Sequence, residues 1–424
     1  MKARRRVLAA AALLAGLLGV FLLRQPGEVG GLKLPSGATK PIISLGDSHG
    51  IVLAPDGTLW SWGGEDRGFP VLGLGQTNYT PRLIRINADT NWISVSAGDA
   101  HNLALKADGT IWAWGGNFRG QLGDGNGPRL TNALMRSRNQ PTPTVEGNDW
   151  VAVEAGFSTS YALKKDGTLW AWGLNNFSQL GNGTWTESSK PVQVGMAAKW
   201  VKIKAGGVSA AGMQSDGRLW IWGGSPKFGN TKSQSSENYL EPQLISTETN
   251  WVDFDVAFNI WLAVKADGTL WAWGRVAHIF TGAPETSADI PVQIGTNTDW
   301  RCVSSSRGGS MHLLQKRDDS FWVMDAPTYD HASVRFRQIE LPHNIVAFDL
   351  GGGAVAAMTK DGEVWTWGTV LGYHSPKDRF MRTLAGLCWR LGWKVSWGVN
   401  QTPVTRQEPW RLRTLDQDDQ NRSD

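Results

Sequence analysis

Apolar and polar positions alternate along this chain in runs of five or six residues, and most runs end at glycine or at Asp-Gly. The stretch Trp92-Ile93-Ser94-Val95-Ser96-Ala97 alternates and predicts a first strand ending at Gly98. Residues 101–106 predict a second strand, Asp108-Gly109 a hairpin turn, and residues 110–115 a third strand. After a longer loop, Pro143-Thr144-Val145 predicts an outer strand, because proline cannot donate to an inner ladder. The order then returns. Its marker is the octet at 108–115, with copies starting at Asp56, Asp108, Asp166, Asp216, Asp267, Asp318 and Asp361. The copy at Asp318, DDSFWVMD, is degenerate but in phase. Successive starts lie 52, 58, 50, 51, 51 and 43 residues apart, a period of propeller size. Four antiparallel strands per unit, seven times over, predict an all-β chain: a seven-bladed β-propeller of four-stranded antiparallel blades.

Two segments break the pattern. Residues 7–23 are 17 residues without a charge, preceded by Lys2, Arg4, Arg5 and Arg6. They read as an N-terminal transmembrane helix, a signal anchor over 1–24, with a cleaved signal peptide as the alternative. The basic flank places the rest of the chain on the extracytoplasmic side. A linker over 25–31, a propeller over 32–415 with an insertion at 369–402, and a polar tail over 416–424 complete the organisation. Either residues 32–34 or the segment from Pro403 supplies the outer strand of the seventh blade. Within the insertion, Phe380, Leu384, Leu387 and Leu391 fall at helical spacing, flanked by Arg382, Trp389, Arg390 and Trp393. That mixture fits either a membrane interface or a helix packed on the propeller.

Composition sharpens this reading. Of 24 tryptophans, 18 occupy three positions of the repeat: two in the third strand and one before the first. The two in the third strand share one face and are expected to pack on the next blade, each with an upper bound of about 4–6 kcal/mol of burial. The glycine closing the first strand is expected to supply a positive φ. Removing the five basic residues of the first 24 leaves 37 basic against 38 acidic residues, so the body lacks the basic footprint of a nucleic-acid binder. Cys302 and Cys388 allow one bridge at most. The seven histidines form no HExxH or His-x-His pair, and neither CxxC nor GxSxG occurs. The sequence therefore offers no catalytic residue, no metal site, no cofactor and no evident small-molecule substrate.

The run Ala97-Gly98-Asp99-Ala100-His101-Asn102, the Asp-Gly turn, Trp112-Ala113-Trp114-Gly115-Gly116-Asn117 and Gly120-Gln121-Leu122-Gly123-Asp124-Gly125 resembles a repeat of the regulator of chromosome condensation family, in its bacterial seven-bladed form. Residues 175–184 repeat the loop part, and the resemblance spans roughly 32–406. It implies the propeller fold and protein binding on a ring face, with guanine-nucleotide exchange as a weaker implication. Phe69, Phe118, Phe177, Phe228 and Phe280 follow the third strand at similar offsets and are the candidate binding-face residues. The expected function is a membrane-anchored, extracytoplasmic scaffold for a protein partner. The alternative is an envelope or polysaccharide-active enzyme with its site on the loop face.

Overall fold

The computed structural model describes residues 33–64, 69–75, 79–126, 137–196, 199–224, 238–257, 260–274, 290–306, 311–325, 336–351, 353–369 and 405–411. Seven four-stranded antiparallel sheets follow one another, each with its strands paired in chain order. They are the seven predicted blades. In blade 2 the strands are Trp92–Ala97, His101–Lys106, Ile111–Gly115 and Arg138–Val145, running from the axis outward. The outer strand of blade 7 is Thr405–Arg411, so the C-terminal segment completes that sheet.

The octet is explained by a hydrogen-bond relay. In the turn of blade 2, Asp108 Oδ1 accepts from Thr110 N at 3.0 Å and from Thr110 Oγ1 at 2.6 Å. Thr110 Oγ1 in turn accepts from Trp112 Nε1 at 3.1 Å. The glycine of the turn has φ of +81°, which glycine reaches without Cβ strain. The degenerate copy keeps this geometry with Asp319 at φ +63°. The Thr110 bonds hold the Asp108 carboxyl below its ordinary range, as the Thr168 bonds do for Asp166.

Tryptophan packing runs opposite to expectation. Seven apolar clusters lie at the seven blade boundaries. Trp150 and Trp172 of blade 3 pack with Leu103, Leu105 and Ile111 of blade 2. The tryptophan face thus meets the preceding blade, not the next one. Within a blade, the tryptophan before the first strand and the first tryptophan of the octet meet edge to face, as Trp92 and Trp112 do at 5.7 Å. In four blades a lysine completes the group. Lys106 Nζ lies 3.9 Å from the Trp112 ring and 2.8 Å from Asp89 Oδ2, and Lys164, Lys265 and Lys316 repeat the arrangement.

The glycine closing the first strand also has a different reason. Gly46, Gly98 and Gly156 are not in the positive-φ region. A Cβ on Gly98 would stand 2.7 Å from the Gly156 carbonyl oxygen, and one on Gly46 2.6 Å from that of Gly98. Close approach of neighbouring inner strands, not φ, demands glycine there.

Blade 1 has Lys40 where the other blades start with tryptophan or isoleucine. Leu34 takes the place. Its N–H donates to the Gly362 carbonyl at 3.0 Å, as Trp92 does to Gly57 and Trp200 to Gly167. Its side chain is buried beside Trp60 and Trp62.

The expectation of an N-terminal transmembrane helix is corrected. Every described regular element is a strand, and no helix among the described residues is long and apolar enough to cross a membrane. Residues 1–24, on which the expectation was placed, lie outside the described residues. Membrane anchoring, single-pass topology and extracytoplasmic placement rested on that segment and are withdrawn with it. The insertion, with Arg382, Trp389, Arg390 and Trp393, and the tail also lie outside the described residues.

Candidate binding face

Each loop between third and outer strand leaves the blade on the face opposite the Asp-Gly turns. Two of these loops share one construction. Asn117 Oδ1 accepts from Leu122 N at 3.0 Å, and Gln121 Oε1 accepts from Arg119 N at 2.8 Å. Asn175 and Gln179 do the same for Leu180 N and Phe177 N. The Asn and Gln of the loop motif thus close it on itself. The loop then reaches the next blade. Trp114, Trp172 and Trp222 Nε1 donate to the carbonyls of Val71, Gln121 and Gln179 in the preceding loop, at 2.9, 2.9 and 3.0 Å. Gly125 N and Gly183 N donate to Ser189 and Leu240 in the following outer strand. Arg119 pairs with Glu187 at 2.9 Å across blades 2 and 3. Burial pushes the Glu187 carboxyl up, and Arg119 pulls it back. Among the described residues, these bonds tie the loops of blades 1–3 to blades 2–4 as a bonded collar.

Phe69 and Phe118 meet on this collar, stacked with centroids 5.4 Å apart. Both are half-buried, as is Phe177. Phe228 and Phe280 lie outside the described residues. One residue escaped the sequence reading. Phe157, in the turn between the first two strands of blade 3, is 37% exposed on the same face. Its signal was a break in the repeat, since Asp47 and Asp99 hold that position in blades 1 and 2. The Asp-Gly face has its own apolar positions. Ile93, Val151, Val201, Val252 and Val346 are each the extra residue of a bulge at the start of an inner strand, and all are exposed.

Along the axis lies a cavity of about 350 Å³, lined by Glu154, Lys202, Lys204, Asp253, Asp255 and Asp349 among others. Lys202 ion-pairs with Asp253. Asp255 accepts from Ser305 N at 2.7 Å and Val256 N at 2.8 Å. Asp255, followed by Glu154, Asp349 and Asp253, holds Lys204 firmly charged, its pKa above the ordinary range. Burial pushes the Asp255 carboxyl up, while Lys204 and the two N–H groups pull it down. The carboxylates are committed to these bonds, and no group of three or more His, Cys, Asp or Glu among the described residues could hold a metal. Cys302 is a free, half-buried thiol that burial pushes up to about 12, and Cys388 lies outside the described residues.

Three of the described histidines, His49, His101 and His312, are buried and bonded within the fold. His49 Nε2 lies 2.7 Å from Asn102 Oδ1 and His101 Nε2 2.9 Å from Ser160 Oγ, both across blade boundaries. His312 is buried with Nδ1 2.9 Å from Ser305 Oγ, and burial lowers its pKa to about 4. The unfolded chain binds this proton near pH 6.5, the folded chain only near 4. The His312 contribution is therefore complete above pH 6.5 and lost as pH falls toward 4, on the order of 3 kcal/mol in all. Urea denaturation at several pH values checks this: the slope between pH 6.5 and 4 is expected to flatten in His312→Gln.

The fold and collar define a β-propeller of loop-clasped tryptophan repeats. The sequence profile of the RCC1-like domain matches residues 23–314, more than half of the chain, and the chain belongs to that family. Over 142 residues, 33% of this chain, it is 33% identical to a human protein described as probable E3 ubiquitin-protein ligase HERC6, of which the match covers 13%. Over 137 residues, 32% of this chain, it is 33% identical to the Protein RCC2 homolog of Danio rerio, of which the match covers 26%. The chain thus matches only a small part of these curated relatives. Among solved structures, Prp20p from Saccharomyces cerevisiae superposes with a TM-score of 0.63 at 16% identity, over 90% of this chain and 89% of that one. Human WBSCR16 superposes at 0.61 and 16% identity, over 76% of this chain and 86% of that one. At that identity the superpositions speak for the fold alone.

Proposed function

We propose that this propeller is a non-catalytic scaffold that binds a protein partner on its loop face, centred on blades 1–3. The observation that carries this reading is the apolar aromatic group there: stacked Phe69 and Phe118, half-buried Phe177 and exposed Phe157 on an internally bonded collar. A rigid surface with aromatic anchors binds without a large ordering cost. Family membership points the same way, since RCC1-type propellers are scaffolds. The structure of Prp20p is described together with its binding to Gsp1p and histones, which makes a protein ligand the natural class here. The axial carboxylates give the enzyme alternative no support, because they are occupied with blade contacts. Guanine-nucleotide exchange rests on family analogy alone.

A photo-crosslinking amino acid at Phe157, compared with one at Val201 on the opposite face, tests the reading in intact cells. Position 157 is expected to give one recurrent adduct and position 201 none. Phe118→Ala is expected to reduce the adduct at least tenfold. The same adduct from both positions, or an adduct from 201 only, sinks the proposal.

A further inference from the structure

The seven blade boundaries are not held alike. Boundaries 1/2, 2/3 and 3/4 carry the loop clasp, in which the second tryptophan donates to the preceding loop. The clasp then stops. Trp273 Nε1 at boundary 4/5 is buried and meets no acceptor. Met324 stands at that position in blade 6 and has no N–H to give. Trp367 and Trp62, at 6/7 and 7/1, donate to no described residue.

Bonds along the axis replace the clasp. Side chains of the inner strands reach N–H groups along the edge of the next inner strand. In the clasped half two such acceptors are serines: Ser44 Oγ accepts from Ala97 N and Ser96 Oγ from Ala155 N, both at 2.9 Å. In the unclasped half they are carboxylates. Asp253 and Asp255 accept from Val303 N and Ser305 N at boundary 5/6, at 2.9 and 2.7 Å. Asp349 Oδ1 accepts from Ser304 Oγ at 3.1 Å at 6/7, and its Oδ2 from Leu45 N at 2.8 Å at 7/1.

Boundary 7/1 differs from the others in a further way. The chain itself crosses the other six, passing from each outer strand to the next inner one. Blade 1 draws its four strands from residues 42–85 and blade 7 from 345–411, so no strand is shared between them. Among the described residues, the ties across this boundary are the Asp349 bond, the Leu34 bond to Gly362, the exposed Lys33–Asp361 pair at 3.3 Å, and side-chain packing. Blade 7 offers that packing a face with Ala354, Ala356 and Met358, against Trp60, Trp62 and Leu83 of blade 1.

We propose that the ring has one built-in point of opening, the boundary between blades 7 and 1, and that Asp349 is its latch. Opening there separates two inner strands without breaking a sheet or displacing a covalent connection. It bares the tryptophan face of blade 1 while the clasped blades 1–4 stay whole. Asp349 sits at both 6/7 and 7/1, so its loss loosens both sides of the last blade.

Hydrogen exchange on the full chain, read segment by segment, tests this. In the wild type, the amides of the inner strands Ile42–Leu45 and Ile345–Gly351 are expected to exchange at least tenfold faster than those of Trp92–Ala97 and Trp150–Ala155. Asp349→Ala is expected to speed the first pair at least a further tenfold and leave the second pair unchanged. Ser96→Ala removes an axial bond from a clasped boundary, and it is expected to change exchange at Trp150–Ala155 less than threefold. Equal wild-type exchange in the two pairs overturns the proposal even where Asp349→Ala fails to fold. So does acceleration of all blades alike by Asp349→Ala, or opening of boundary 2/3 by Ser96→Ala.

Discussion

Trp172→Ala is expected to lower the unfolding free energy by about 3–5 kcal/mol, the range for emptying a large aromatic site in a core. Trp172 is fully buried at the boundary of blades 2 and 3. Its removal leaves a cavity among Leu103, Ile111 and Leu122 and takes one of two donors from the Gln121 carbonyl, which keeps Ser160 Oγ at 2.7 Å. Neighbouring inner strands already touch at the glycines, so the blades cannot slide inward to fill the gap. A finer comparison separates the two contributions. Trp172→Phe keeps most of the apolar contact but loses the 2.9 Å bond to Gln121, whereas Trp273 has no bond to lose. Trp172→Phe is therefore expected to cost about 0.5–1.5 kcal/mol more than Trp273→Phe, the usual net worth of one hydrogen bond, since the Gln121 carbonyl keeps Ser160 Oγ. Urea denaturation of the three variants reads both differences. Equal losses for the two Phe variants would show that the clasp carries no energy.

Asp255→Ala comes next in size, at about 3–5 kcal/mol, the range for breaking a buried charge pair by deleting one partner. Two backbone N–H groups, of Ser305 and Val256, lose their acceptor, and Lys204 loses the first of its four carboxylates. Asp255→Asn keeps one acceptor oxygen and is expected to lose less. Lys204→Met made together with Asp255→Ala removes both charges and is expected to recover part of the loss. A double variant no more stable than Asp255→Ala alone would mean that the N–H groups, and not the charges, account for the effect.

The blades were legible because their determinants repeat. Asp-Gly-Thr-x-Trp encodes a turn, a relay and a strand at once, and reading it seven times averages out single departures such as the copy at Asp318. What failed to read out was what one repeat does to the next. The tryptophan face had no direction in the sequence, because period two fixes a face but not the neighbour it meets. The inner-strand position occupied by Ser44, Ser96, Glu154, Lys204, Asp255, Ser304 and Asp349 shows no motif, since a hydroxyl or carboxylate can accept there while Lys204 pairs with Asp255 and Ser304 donates to Asp349. Lys106 over two tryptophans lies in a contact between strands that spacing along one strand does not reveal. The candidate face was half legible. Phe69 and Phe118 do come together, while Phe157 was hidden in a turn whose position carries aspartate in blades 1 and 2 and no common residue elsewhere.

The glycines that close the inner strands have a consequence for how such a chain can grow. A Cβ on Gly46 or Gly98 would stand 2.6 or 2.7 Å from the next blade's carbonyl oxygen, so at that level these inner strands have little room to move closer. Deleting a repeat would ask the remaining inner strands to close a smaller circle, and they have no slack to give. Duplicating one would pull them apart and leave their edge N–H groups facing an empty bore. The tight level of the bore thus lies where Gly351, Gly46 and Gly98 meet their neighbours, and a change in repeat number would first be felt there.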